Sequence, residues 1–291
     1  MFGRYSRSME RYTAISLPAT LYLVATPIGN LEDITLRALR VLREEANLIA
    51  CEDTRQTQKL LDHFQIRKPT VSYHEHNESS RTPELLERLE QGEAVALVSD
   101  AGTPLVSDPG YRLVEAAVKR GVPVVPVPGA SAVLAALSAS ALPPNEFRFV
   151  GFLPAKSGAR RRFLETLKPE HGTVVAYESP HRILGALADM AEILPASPLV
   201  LARELTKIHE EFLRGTAAEI LRNLSARSSV KGEMTLVIGA PPAPVVDGDP
   251  LEEVARLQAN GVARMDALKA VARQFGLSKR ELYRMAEERE H

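Results

Sequence analysis

From residue 21 to about residue 141 the chain alternates short apolar runs with longer segments whose apolar residues recur every three or four positions. The runs at 21–25, 47–51, 70–73, 95–98 and 122–127 read as strands. In the first periodic segment Leu36, Leu39, Leu42 and Ala46 share one helical face, and Asp33 or Thr35 can cap it. Further helices are predicted up to about Phe64, over 83–91, over 111–119, and in the alanine-rich stretch ending near Ala141. Strands alternating with helices in this way predict a parallel sheet covered on both faces. Each strand is followed by a polar loop, in order TPIGN, EDTR, HEHNESS, SDAGTP and PGAS. A parallel sheet puts all these loops at one edge, so they are expected to converge on one ligand crevice. The central case is VALVSDAGTPLVSDPG, residues 95–110, in which Asp108 suits a helix N-cap with Pro109 at the first helical position.

The rhythm changes after the Leu-Pro-Pro-Asn linker at 142–145. Strands are predicted at 147–152, 173–178, 199–203, 210–213 and 234–238, with helices at 158–167, 181–194 and 216–224. The short gap between the third and fourth of these strands favours antiparallel or mixed pairing. PPAPVVDGDP is too proline-rich to fold compactly, and the remainder is helical. The expected division is a flexible extension at 1–19, an α/β domain with a parallel sheet at 20–142, a second α/β domain with a mixed sheet at 145–240, and a small helical domain at 250–291.

Composition narrows the chemistry. A formal net charge of −1 over 291 residues carries no global nucleic-acid signature, so any basic surface is local. Cys51 is the single cysteine, which excludes an intrachain disulfide and fits a reducing, cytoplasmic setting. The seven histidines form no HExxH and no metal is expected. No apolar run approaches the ~20 residues of a membrane span. In the first 19 residues an apolar core is missing and Glu10 interrupts three arginines, so a targeting segment is disfavoured. GxxxxGK[ST], GxGxxG and GxSxG are all absent, which removes support for a P-loop, a dinucleotide site and a hydrolase elbow.

The segments ATPIGNLEDIT, ACEDTRQTQKLL, VSDAGTPLVSDPG, PVPGASA, AYESPHR and RELTK…EE…RG…KGEMTLVI resemble the ribosomal RNA small subunit methyltransferase I family over roughly residues 21–240. That resemblance implies a two-domain tetrapyrrole-methylase fold with S-adenosylmethionine bent into the cleft between the domains. It implies 2′-O-ribose methylation of a cytidine in small-subunit (16S) ribosomal RNA, by a homodimer. Cofactor contacts are implied at Pro27, Ile28 and Gly29, although the GxGPG form of many tetrapyrrole methylases is here TPIGN. They are implied also at Asp100, Gly102 and Thr103, at Ala130 and Ser131, and at Tyr177 and Met234. Asp100 suits an ammonium or sulfonium charge. For removal of the hydroxyl proton Glu178 is the leading candidate, with His181, Glu204, Lys207, Glu52 and Asp53 as others.

Two basic stretches point to RNA. In KSGARRR, Lys156, Arg160, Arg161 and Arg162 lie at a predicted helix start, where consecutive arginines oppose the helix dipole unless an anion arrives. In the tail, Gly276-Leu277-Ser278 separates two helices at helix-turn-helix spacing, and Lys279, Arg280 and Arg284 begin the second. The rival readings are a methyltransferase of this fold acting on a tetrapyrrole or a modified protein side chain, and a non-enzymatic ribosome-assembly factor.

Overall fold

A computed structural model describes residues 19–168, 172–241 and 248–290, so most of the expected extension at 1–19 and of the proline-rich link lies outside the described residues. Strands β1 (Leu21–Val24), β2 (Leu48–Cys51), β3 (Thr70–Ser72), β4 (Val95–Val98) and β5 (Val124–Val127) form one sheet in the order β3-β2-β4-β1-β5. Every pairing in it is parallel. The central strand β4 has all four residues buried, as a strand covered on both faces must. Ala96 and Val98 join a cluster with Leu42 and Leu61, while Val95 and Leu97 join one with Leu85, Leu89 and Leu113 on the other face. Pro126 is tolerated because β5 is an edge strand.

The covering helices are α1 (Leu36–Arg40), α2 (Thr54–His63), α3 (Glu78–Glu90), α4 (Tyr111–Lys119) and α5 (Ala132–Ala139). Thr35 caps α1 through its side chain, accepting from the Ala38 N–H. Helix α3 starts at Glu78, before the expected Pro83, which the helix holds in its interior. Asp108 does not cap α4. Gly110 takes that place with φ of +137°, a conformation that L side chains rarely adopt, and a Cβ there would fall 2.7 Å from Leu97 Cδ2. The Pro-Gly pair turns the chain, α4 begins at Tyr111, and the Asp108 carboxyl faces a cavity instead.

The second sheet contains β6 (Phe147–Phe152), β7 (Thr173–Glu178), β8 (Leu199–Arg203), β9 (Glu211–Gly215) and β10 (Met234–Ile238), in the order β6-β7-β10-β8-β9. Only β6 and β7 run parallel, so the sheet is mixed, as the short β8–β9 connection predicts. One face is covered by α6 (Ser157–Glu165), α7 (Ile183–Ile193) and α8 (Ala217–Ser225). Its other face packs on α5: Val133, Ala136 and Leu137 meet Val175, Val200 and Val237 in one cluster. That shared cluster fixes the two sheets on either side of a cleft.

Helices α9 (Pro250–Ala259), α10 (Arg264–Gln274) and α11 (Lys279–Glu290) follow. They build a small core of their own from Val254, Ala267, Leu268, Val271, Ala272 and Leu282. Ser278 and Glu281 cap the start of α11 reciprocally, each side chain accepting the other's backbone N–H. No helix among the described residues is long and apolar enough to cross a membrane.

Candidate functional site

Three loops at the carboxyl edge of the parallel sheet are tied together by backbone. The Thr26 N–H donates to the Gly102 carbonyl at 2.9 Å, and the Gly102 N–H donates back to the Thr26 carbonyl at 3.0 Å. The Thr26 hydroxyl donates to the Ser99 carbonyl and the Thr103 hydroxyl to the Ala130 carbonyl, at 3.0 and 3.2 Å. Leu105 and Ser107 hold left-handed φ values of +71° and +68°, strain of the kind that concentrates at ligand sites. From the facing sheet, the antiparallel register sets Tyr177 opposite Thr235 and Glu178 opposite Met234, at the end of the sheet nearest these loops.

Between the two sets lies a cavity of about 350 Å³. From the first half, Ile28, Asp100, Gly102, Thr103 and Ser131 line it; from the second, Tyr177, Glu178 and Met234. A second cavity of about 480 Å³ adjoins it, and Ile28, Asp100, Ala101 and Glu233 line both. Pro27 and Gly29 line only the second. Ala130 lines neither; its carbonyl anchors Thr103.

HEHNESS stays outside both cavities, so the loops that converge are fewer than expected. β3 is an edge strand, and its loop is spent bracing the start of α3: Asn77 accepts the His74 N–H at 2.8 Å and donates to the Ser72 carbonyl at 3.1 Å. Glu52, Asp53, His181 and Glu204 line neither cavity. Asp53 caps α2, and hydrogen bonds from Arg55 hold its carboxyl down at about 2.

Acidic groups gather at one end of the first cavity. The Asp100 carboxylate accepts the Asp53 N–H at 3.1 Å. Burial, then the charges of Asp100 and Glu75, raise the Glu52 carboxyl. Burial, then the charges of Glu52 and Asp100, push Asp108 up to about 6. Burial, followed by Asp108 and Glu233, pushes the Tyr177 phenol up to about 12. A carboxyl raised in the folded state loses stability as pH climbs from about 4, its unfolded value, through about 6. Asp108→Asn is therefore expected to raise stability at pH 7 by about 1–3 kcal/mol, with the gain vanishing below pH ~4. Denaturant titrations at both pH values measure it, and an equal effect at both refutes the assignment.

The Glu178 side chain is 0% exposed; Arg182 holds its Oε1 at 2.6 Å and the Ser179 N–H donates to the same atom. Its Oε2 is buried with no hydrogen-bond partner among the described residues. Tyr177 is flanked edge-on by Phe149 and Phe152, at 4.9 and 5.6 Å between ring centres.

The arginine run is divided by the fold. Arg160 is buried and pairs with Asp189 of α7 at 2.7 Å, so it cannot meet RNA. Arg161 reaches Asp189 and Glu192, while Lys156 and Arg162 are exposed. The anion that the run requires is internal: the Asp189 carboxylate also accepts from the Ser157 hydroxyl. At the start of α11, Arg280 and Arg284 are exposed, and the Lys279 side chain lies outside the described residues. Sequence reading missed two walls. Asp108 was legible as a turn residue from the Pro-Gly that follows it. Glu233, just before β10, lies in the KGEMTLVI segment but was given no role there.

Residues 20–221 match the family of tetrapyrrole (corrin/porphyrin) methylases. A ribosomal RNA small subunit methyltransferase I from Halalkalibacterium halodurans is 46% identical over 284 residues, covering 95% of this chain and 98% of that protein. One of the same name from Micromonospora olivasterospora is 52% identical over 230 residues, 79% of this chain and 73% of that protein. A uroporphyrin-III C-methyl transferase from Thermus thermophilus, solved in complex with S-adenosyl homocysteine, superposes with a TM-score of 0.54 at 21% identity, over 76% of this chain and 97% of that one. That likeness extends the fold, and the identities set the family: this chain is a tetrapyrrole-methylase-fold enzyme that belongs to the ribosomal RNA small subunit methyltransferase I family.

Proposed function

We propose that this protein methylates the ribose 2′-oxygen of a cytidine in small-subunit (16S) ribosomal RNA, with S-adenosylmethionine as methyl donor. The observation that carries the reading is the first cavity, which joins an acidic end to an unpartnered buried acceptor. Burial, then the charges of Glu52 and Asp100, make Asp108 resist ionising, and a cation placed there relieves that cost. S-adenosylmethionine, when bound, supplies both such cations and an activated methyl group. Asp100 would face its ammonium or sulfonium end, with Gly102, Thr103 and Ser131 beside it. Glu178 Oε2 suits a hydroxyl of its adenosine, and Tyr177, Met234 and Ile28 would exclude water around it. Glu178 is held within the first cavity, which makes it a cofactor ligand in this reading rather than the base.

RNA contact is assigned to Lys156, Arg161 and Arg162 and to the start of α11 with Lys279, Arg280 and Arg284. The protein is read as a cytoplasmic homodimer, which sedimentation at micromolar concentration tests. Mass spectrometry of ribosomal RNA nucleosides from cells with and without the protein decides the function. Loss of one 2′-O-methylcytidine is expected, and an unchanged nucleoside profile overturns the reading.

The tail offers a separate check. The core of α9–α11 is drawn entirely from residues 251–282, so removing residues 248–291 is expected to leave the two-sheet body folded and able to bind cofactor. Methylation of small subunits at limiting concentration should fall severalfold, because docking weakens. Full activity of the truncated protein refutes a docking role.

A further inference from the structure

The second cavity differs in character from the first. At its walls Lys59 and Lys207 face Asp100 and Glu233, with Glu204 behind Lys207. Two carboxylates and two ammonium groups balance on its walls, so the chamber carries no net charge and suits a neutral, hydroxyl-bearing guest. Its size falls within the range of small-molecule clefts. The wall shared with the first cavity is where an acceptor in one chamber and a methyl donor in the other would meet.

Two carboxylates, Asp100 and Glu233, stand on that wall. Asp100 is committed to the acidic end and to the Asp53 N–H. Glu233 is 73% exposed and would swing freely but for Lys207, whose Nζ donates to Glu233 Oε2 at 3.2 Å and to Glu204 Oε1 at 2.9 Å. Glu204 Oε1 also accepts the Glu233 N–H at 3.0 Å. The loop that carries Lys207 is itself strained, with φ of +52° at Glu204 and +67° at Thr206. The Lys207 stem lies across Gly29, whose φ is +151° and where a Cβ would fall 2.5 Å from Lys207 Cγ. A side chain in place of Gly29 would displace the lysine from the chamber.

Resting on the function proposed above, we infer that Glu233 is the proton acceptor for the substrate hydroxyl and that Lys207 is its positioning residue, the second cavity being the chamber of the acceptor ribose. The acceptor oxygen gives its proton to the Glu233 carboxylate and bonds the methyl carbon. The electron pair of the breaking carbon–sulfur bond stays on sulfur, leaving S-adenosylhomocysteine, and Glu233 then releases the proton to water. Lys207 cannot itself be that base: burial opposes its charge, but Glu204 and Glu233 hold its ammonium above the usual lysine value. The charged and titratable groups around Glu233 are Lys207 and Glu204 on the β8–β9 loop, Asp100 after β4, Tyr177 on β7 and Lys59 on α2.

The test combines single-turnover methyl transfer to small ribosomal subunits across pH 5–9 with calorimetry of S-adenosylmethionine binding. Glu233→Gln is expected to slow transfer about 10²- to 10⁴-fold, the range for general-base catalysis, and to erase the acidic limb of the profile. Cofactor affinity should stay within twofold, and Glu233→Asp should recover part of the rate. Lys207→Met is expected to slow transfer severalfold at saturating substrate with cofactor affinity unchanged, and Lys207→Arg to recover part of the rate, since the cation that holds Glu233 in place is removed and then restored. A Glu233→Gln rate within twofold of the parent, a matching loss of cofactor affinity, or a Lys207→Met rate within twofold of the parent each overturn the inference. If the unmodified protein binds S-adenosylmethionine but methylates no RNA, the parent reading fails and this one falls with it.

Discussion

Replacing Arg160 with alanine is expected to destabilise the protein by roughly 3–5 kcal/mol, because it strips the guanidinium from a carboxylate that stays buried. Arg160 and Asp189 side chains are 6% and 9% exposed, and Asp189 receives both Arg160 Nε at 2.8 Å and Nη2 at 2.7 Å. Arg161 and Ser157 remain on Asp189 and should keep the loss at the lower end of that range. Burial alone would raise the Asp189 carboxyl, but hydrogen bonds from Arg160, Ser157 and Arg161 hold it below the usual range. A depressed carboxyl stabilises the fold above its unfolded value near pH 4, and that contribution is lost as pH falls through the folded value. The destabilisation by Arg160→Ala should therefore shrink in acid. Urea unfolding at pH 7 and pH 3 measures it; a loss below 1 kcal/mol at pH 7 would show that the pair is not a buried one. RNA affinity should fall with Lys156→Ala and Arg162→Ala, which are exposed, together with the slope of its salt dependence.

Asp100→Ala is expected to weaken S-adenosylmethionine binding by about 1.5–3 kcal/mol, about 10- to 150-fold, the worth of a charge-assisted hydrogen bond. The side chain stands on the wall common to both cavities, and its carboxylate is oriented by the N-terminal end of α2 through the Asp53 N–H. Stability should change little, since Asp100 is exposed. Removing its charge should also let Asp108 ionise at lower pH, because Asp100 is one of the charges raising it. Isothermal calorimetry on the folded variant settles the point: unaltered affinity removes Asp100 from the cofactor's charged end.

Much of the fold was legible because it is written in short-range patterns. The short apolar run VALV, followed at once by a turn-rich polar loop, reads as a strand covered on both faces, and β4 is one. Limits of β6, β7, β8 and β10 coincide with their apolar runs, since each run is bounded by turn residues or charge. The loops TPIGN, SDAGTP and PGAS were legible as one site because parallel strands must end on the same edge. HEHNESS was misjudged for the complementary reason. Strand order is a long-range property, and it put β3 at the sheet's rim.

Charge was where local reading failed most. Lys156 to Arg162 looks the same in the sequence whether its partner is RNA or a carboxylate, and Asp189, Arg160's partner, lies 29 residues further on. Asp108 looked like a helix cap because capping is judged from neighbours, whereas its protonation depends first on burial and then on the charges of Glu52, which follows β2, and Asp100. By itself the sequence determined the strands, the loops that follow them, the helical tail with its own small core, and the family. Only the tertiary structure decided which ionisable groups share a wall. Hydrophobic periodicity is set within one turn or one pleat, whereas the energy of a charge is set by whatever the whole fold brings within a few ångströms of it.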